Sequence, residues 1–173
     1  DWDVFEHLLG LISDFLHDGI QLRPTLMDQL DRLAQELEKE QVDSIDCLRR
    51  ALFADGRFQG NHDDYYSVQN SDLCWVLQQR RGNPLSLSLV FMLVGHRFGF
   101  IVDGCNFPGH FVARIGLDGC DYLVDCYNRG ELLPVDEVIR RQGSQNASLL
   151  ETLNRPTSFA EILRRVLHNA CFS

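Results

Sequence analysis

At 173 residues, with 45% hydrophobic and 24% charged side chains, the chain can bury a sizeable core and is too apolar to be wholly disordered. Its 25 acidic residues outnumber 16 basic ones, a net charge of −9, which argues against nucleic acid and anionic membrane as partners. No apolar run approaches the ~18 residues of a membrane span, no signal-peptide pattern opens the chain, and the 6 cysteines are scattered without a CxxC pair, so a reduced, cytoplasmic chain without a zinc site is expected.

The first stretch reads as helices. Trp2, Phe5, Leu8, Leu9, Ile12, Phe15 and Leu16 recur every three or four residues, one stripe of an amphipathic helix that Gly19 ends. Thr25, with Asp28 three residues on, reads as a capping box, followed by the stripe Leu26, Leu30, Leu33 and Leu37. A third helix is expected from Ser44 through Ile45, Leu48 and Leu52. Residues 54–70 break the pattern with Gly, Asp and Asn around Tyr65 and Tyr66. A loop of this length inside a compact domain is usually functional or disordered, and its aromatics argue that it is packed. Ser71 is the expected cap of a short helix carrying Leu73, Trp75, Val76 and Leu77, with Gly82 as its stop. Asn83 then caps and Pro84 opens a helix, LSLSLVFMLVGHRF, that is apolar nearly all round and hence central and buried as far as Gly99.

The hydrophobic period changes at residue 100. FIVDGC, HFVARIG and CDYLVDCY read as strands, Asp118-Gly119 as a two-residue hairpin turn, and Glu131-Leu132-Leu133 as a further short strand. Pro134 is expected to start a helix through Val138 and Ile139, and 142–150 to be loop. A last helix, capped near Thr157 or Ser158, carries Phe159, Ile162, Leu163, Val166 and Leu167. Helices first and antiparallel strands second make the fold class α+β. The expected divisions are a helical bundle over 1–55, a core over 56–140 and a C-terminal helical extension over 141–173, packed as one unit.

The hairpin also brings chemistry together. With Asp118-Gly119 as the turn, Leu117 pairs with Cys120, and counting back puts Val112 opposite Asp125, with His110 on the same face. A one-residue change of register would separate His110 from Asp125. An imidazole beside a carboxylate is two thirds of a nucleophilic triad, and equally a polar pair at a sheet edge; the spacing leaves both readings open.

The blocks Asn70-Ser71, RRGNPLSLSLVFML, NFPGHFVAR and VDCYNRG make residues 56–133 resemble the transglutaminase-like SirB family. The N-terminal helices resemble it more loosely, and EILRRVLHNA is similar to the family's lead-in to C-terminal tetratricopeptide-like repeats. The resemblance implies a papain/transglutaminase-like core, a central helix packed on an antiparallel sheet, with the helical bundle against it. Enzymes of that fold place a cysteine at the N-terminus of the central helix, where the dipole and unpaired N–H groups favour a thiolate, with His and Asp on the following strands. Carried over by motif, these are His110 and Asp125, and the nucleophile position falls on Pro84, a departure that the family pattern shares.

The resemblance thus implies a non-catalytic or weakly catalytic binding or regulatory module with a retained His–Asp pair. Two alternatives stand beside it: a peptide or amide hydrolase or acyltransferase using Cys105 or Ser86, and a scaffold for C-terminal repeats. The binding candidates are Asn83, Leu85 and Ser86 at the helix start, Asn106 and Arg114 near the strands, and Tyr66 and Asn70 on the opposite wall; for Arg114 a sheet-edge salt bridge is the stronger reading. Backbone amides of residues 84–86 are expected to face the cleft and to favour a small anionic ligand, a peptide C-terminus or a protein partner with an acidic group. No cofactor is expected.

Overall fold

The computed structural model describes every residue except 22, 143–146 and 173. Helix α1 (Trp2–Leu16) is capped by the Asp1 carboxylate, which accepts from the Asp3 amide. Phe5, Leu9 and Ile12 of its expected stripe are buried, but Leu8 and Phe15 turn to solvent, because a stripe seven residues wide exceeds the face one helix can bury. Helix α2 (Leu26–Lys39) starts at the Thr25–Asp28 capping box and buries Leu26, Leu30, Leu33 and Leu37 as its period requires. Helix α3 (Ile45–Arg49), capped by Ser44, widens into a π turn over Arg50–Ala54 that buries Leu52 and Phe53.

The long loop is packed. Phe58 is fully buried, and strand β1 (Gln59–Gly60) pairs in parallel with β2 (Arg81–Gly82). Buried Asn70 donates to the carbonyls of Asp64 and Tyr65 and accepts from Asn61, which pins the loop's backbone. Between the two strands lie a 3-10 turn (Val68–Ser71) and helix α4 (Leu73–Gln79). Two expectations are corrected here. The cap of α4 is Asp72, whose carboxylate accepts from the Cys74 amide, while the Ser71 hydroxyl is buried with no partner among the described residues. The helix ends on left-handed Arg80, φ 58, not on Gly82. Gly82 answers a different demand: a Cβ there would lie 2.5 Å from Ser86 Oγ.

Helix α5 (Pro84–Arg97) is buried on every side from Pro84 to Gly95. Its start is a closed capping box: the Asn83 side chain accepts from the Ser86 amide, and Ser86 Oγ accepts from the Asn83 amide. Four antiparallel strands follow in the order β3-β4-β5-β6: β3 (Asp103–Cys105), β4 (Val112–Leu117), β5 (Cys120–Asp125) and β6 (Glu131–Pro134). The Asp118-Gly119 turn has positive φ at both residues, and Leu117 pairs with Cys120 and Ala113 with Val124, the register read from the turn. FIVDGC contributes only its last three residues to the sheet.

Ala113, Ile115 and Val124 join α5 in the main core, while Cys105, Val112 and Leu123 pack in a second cluster with Val135, Val138, Leu149 and Leu153. Those last four belong to α6 (Val135–Gln142) and α7 (Ala147–Asn154). Pro134 therefore closes β6 instead of opening α6, since a proline at a strand's last residue forfeits no interior ladder bond. Part of the expected loop 142–150 is helix α7; its segment 143–146 lies outside the described residues.

Helix α8 (Phe159–Phe172) begins with reciprocal bonds between Ser158 and Glu161. Phe159 stacks on Phe5 with centroids 4.1 Å apart, and Ile162 and Val166 enter the main core. One core cluster thus draws residues from all three expected divisions. Among the described residues, no helix is long and apolar enough to cross a membrane.

Candidate functional site

The site forms where the N-terminus of α5 meets the end of β5 and the turn before β4. That turn, Asn106–Gly109, closes with the His110 amide on the Phe107 carbonyl and uses Gly109 at φ 76, which sets His110 at the rim and Phe111 in the core. His110 Nε2 lies 2.9 Å from Asp125 Oδ1. Asp125 Oδ1 also accepts from the amides of Tyr127 and Asn128, and Oδ2 accepts from the Asn128 side chain at 2.7 Å.

Burial pushes the Asp125 carboxyl up, but the bonds from His110 and Asn128 outweigh it, and the group sits below its ordinary value. Asp125 is therefore a carboxylate at neutral pH and can only accept, so His110 Nε2 carries the proton it donates. In the neutral ring Nδ1 is then left as the basic nitrogen. The turn beyond Asp125 is itself held: Gly130 donates to the Asp125 carbonyl, Arg49 donates to the Gly130 carbonyl at 2.7 Å, and Arg129 and Gly130 adopt positive φ.

A cavity of ≈ 240 Å³ opens in front of His110. Asn83, Pro84 and Leu85 form one wall, and Tyr65 and Tyr66 of the long loop another. Tyr127 braces that loop from behind, with its ring edge-on to His62, Tyr65 and His110. Gly60 makes room, because a Cβ there would lie 2.7 Å from the Tyr127 ring. The remaining wall is α8, through Arg165, His168 and Asn169, against Phe111.

The expected site residues divide. His110, Asn83, Pro84, Leu85 and Tyr66 line the cavity together. Asn70 lies beneath the loop as its hydrogen-bonding pin. Ser86 is buried, with its hydroxyl committed to Asn83, accepting from the amide and donating to the carbonyl. Asn106 stands in the neighbouring hollow, its side chain accepting from Arg165. Arg114 donates to the Leu153 carbonyl and to Asp121, tying α7 to the sheet away from the cavity. The expected row of helix amides is also corrected. Pro84 has no N–H and the Ser86 amide serves the Asn83 cap, so the Leu85 amide alone of the three is uncommitted among the described bonds.

Neither alternative nucleophile is presented to His110. Cys105 belongs to the second core cluster, its thiol 3.8 Å from the Thr152 carbonyl and pushed up to about 11 by burial. Cys126 lies under α5, pushed up to about 12 by burial. The cavity's described lining contains no cysteine, serine or threonine. Among the described residues, no three His, Cys, Asp or Glu converge as a metal site. Sequence reading passed over the α8 wall, although Arg165, His168 and Asn169 share the i, i+3, i+4 spacing of one helix face.

A family profile described as the transglutaminase-like superfamily matches residues 24–168. A UPF0162 protein of Xylella fastidiosa is 33% identical over 162 residues, covering 86% of this chain and 57% of the relative. A UPF0162 protein of Pseudomonas aeruginosa is 32% identical over 148 residues, covering 82% and 54%. The mouse F-box only protein 21 is 33% identical over 129 residues, covering 69% of this chain and 21% of the relative. The chain thus spans about half the length of the bacterial relatives it matches. No solved structure matches it.

Proposed function

This chain belongs to the transglutaminase-like superfamily, and we propose that it is a binding or regulatory module of that superfamily, non-catalytic or weakly catalytic, whose His110–Asp125 cleft receives a ligand without forming a covalent bond to it. One observation carries the reading. Pro84 stands at the start of α5 and lines the same cavity as His110, and the motif resemblance assigns this position to the cysteine of the fold's enzymes. A base must reach its nucleophile, and the side chain on the helix side is a pyrrolidine ring.

The hydrolase alternative finds little support in the geometry. Ser86 serves the helix cap, and Cys105 is a buried thiol in the second core cluster. The ligand class supported by the lining is a small anion or the acidic group of a peptide or protein, because the described lining offers Arg165 and imidazoles and no carboxylate.

Alkylation with iodoacetamide, read residue by residue by mass spectrometry, tests this reading. Labelling is expected to follow exposure, with Cys120 and Cys171 first and Cys74, Cys105 and Cys126 protected until unfolding, at rates unchanged in His110→Ala. Fast labelling of Cys105 that His110→Ala abolishes would support an enzyme instead.

A further inference from the structure

Arginine pairing singles out one residue. Arg49, Arg57, Arg80, Arg97 and Arg114 are half-buried, and each pairs with a carboxylate: Asp46, Glu40, Glu36, Glu6 and Asp121 respectively. Arg165 is equally half-buried and pairs with none among the described residues. Its bond goes to the neutral side chain of Asn106. Its guanidinium lies over the Phe111 ring, 5.4 Å from the centroid. Burial of the guanidinium pulls its pKa down, with Tyr65 alone acting the other way. In a chain of net charge −9, carboxylates are abundant, so a desolvated cation left without one is costly and calls for a reason.

The reason lies in where Arg165 sits. It stands between two hollows: one holds Asn106 and Glu161, whose carboxylate pairs with Arg155 and Ser158, and the other is the His110 cavity, none of whose described lining residues carries a carboxylate. A planar guanidinium fixed over an aromatic ring presents a fork that matches a carboxylate oxygen pair. We propose that Arg165 anchors a carboxylate in the His110 cavity, and that this carboxylate is the C-terminus of a peptide.

The proposal rests on the binding reading above and adds its ligand and its anchor. A free small carboxylic acid offers the same charged group. The rim favours a chain that continues outward: Tyr66, which lines the cavity, is 79% exposed, and Val68 on the same loop 41%. These apolar surfaces lie close to the helix that carries Arg165, since α8 rests on the 3-10 turn carrying Val68. A peptide whose terminus sits in the cavity would lay its preceding side chains on them.

The test uses the whole chain with three ligands: an N-acetylated tetrapeptide ending in Phe, the same tetrapeptide as its C-terminal amide, and acetate. Binding is followed by chemical shifts of the Arg165 Nε–H and the His110 ring. The free acid is expected to bind about tenfold or more tightly than the amide, as loss of a charge-assisted bond implies. It should also bind far more tightly than acetate. Arg165→Gln is expected to abolish the preference for the acid, and Arg165→Lys to restore part of it. Arg164→Gln, an exposed neighbour on the same helix, is expected to leave it intact. Equal affinity for acid and amide, with the His110 ring shifting in both, overturns the anchor alone. Acetate binding as tightly as the peptide overturns the peptide terminus, and no shift of the Arg165 and His110 signals at millimolar free acid overturns the whole proposal. Cleavage of the peptide, seen as new termini by mass spectrometry, overturns the non-catalytic reading on which it rests.

Discussion

At the C-terminal end of α5, Arg97 donates to both oxygens of Glu6 at 2.8 Å and to Asp31 at 2.8 Å, locking α1 and α2 to the central helix. At the N-terminal end, Arg165 of α8 lines the cavity beside Pro84 and pairs with no carboxylate among the described residues. Burial opposes both charges. For Arg97 the bonds to Glu6 and Asp31 outweigh that opposition and raise its pKa above the ordinary arginine value; for Arg165 nothing comparable does. The contrast separates two uses of one residue type. A charge that serves the fold is neutralised by the fold, and a charge left unneutralised beside a cavity is available to a ligand at some cost in stability.

Breaking the paired end should have the largest effect. Glu6→Gln leaves a half-buried guanidinium with Asp31 as its remaining carboxylate, and a loss of about 2–4 kcal/mol is expected in urea unfolding at unchanged m-value. A loss under about 0.5 kcal/mol, the range of an ordinary surface change, would show that the lock is not structural. At the other end, Gly82→Ala drives a methyl into Ser86 Oγ, 2.5 Å away, and disturbs the capping box; about 1–3 kcal/mol is expected from thermal melts.

Asp125→Asn sharpens the comparison through pH. The folded carboxyl titrates below its ordinary value, so its contribution to stability is complete above the unfolded value near 4 and is lost as pH falls through the lower folded value. The variant should lose about 1 kcal/mol at neutral pH and show a flatter stability profile below about pH 4. The smallest effect is expected at the unpaired cation: Arg165→Gln should change stability by less than about 0.5 kcal/mol, or raise it. A loss as large as that of Glu6→Gln would mean that Arg165 serves the fold after all.

Much of this was legible in the chain. The Thr25–Asp28 and Asn83–Pro84 starts, the buried α5 and the Asp118-Gly119 register all rest on local rules, and the register alone put His110 beside Asp125. The transglutaminase-like membership was legible in RRGNPLSLSLVFML and NFPGHFVAR. What local rules could not supply was tertiary. Asp72 displaced Ser71 as the cap of α4 by fitting the same helix start one residue later, and α7 formed where no strong signal stands between Gln142 and Leu150. The α8 wall was missed because Arg165 reaches Phe111 across more than fifty residues of chain. For Arg114 the sequence offered both a cleft cation and a sheet-edge salt bridge, and its bonds to Asp121 and the Leu153 carbonyl match the second.

The central claim is that His110 and Asp125 keep an enzyme-like arrangement facing the start of α5, and that Pro84 withholds the nucleophile. The direct test is the pH–rate profile of iodoacetamide alkylation in Pro84→Cys. The new thiol, at a helix N-terminus and opposite His110, should titrate well below the ordinary value of about 8.5 and react at pH 6 much faster than Cys120 and Cys171 of the same molecule. Adding His110→Ala should remove that advantage. A thiol at position 84 that titrates and reacts like Cys120, with or without His110, would contradict the account.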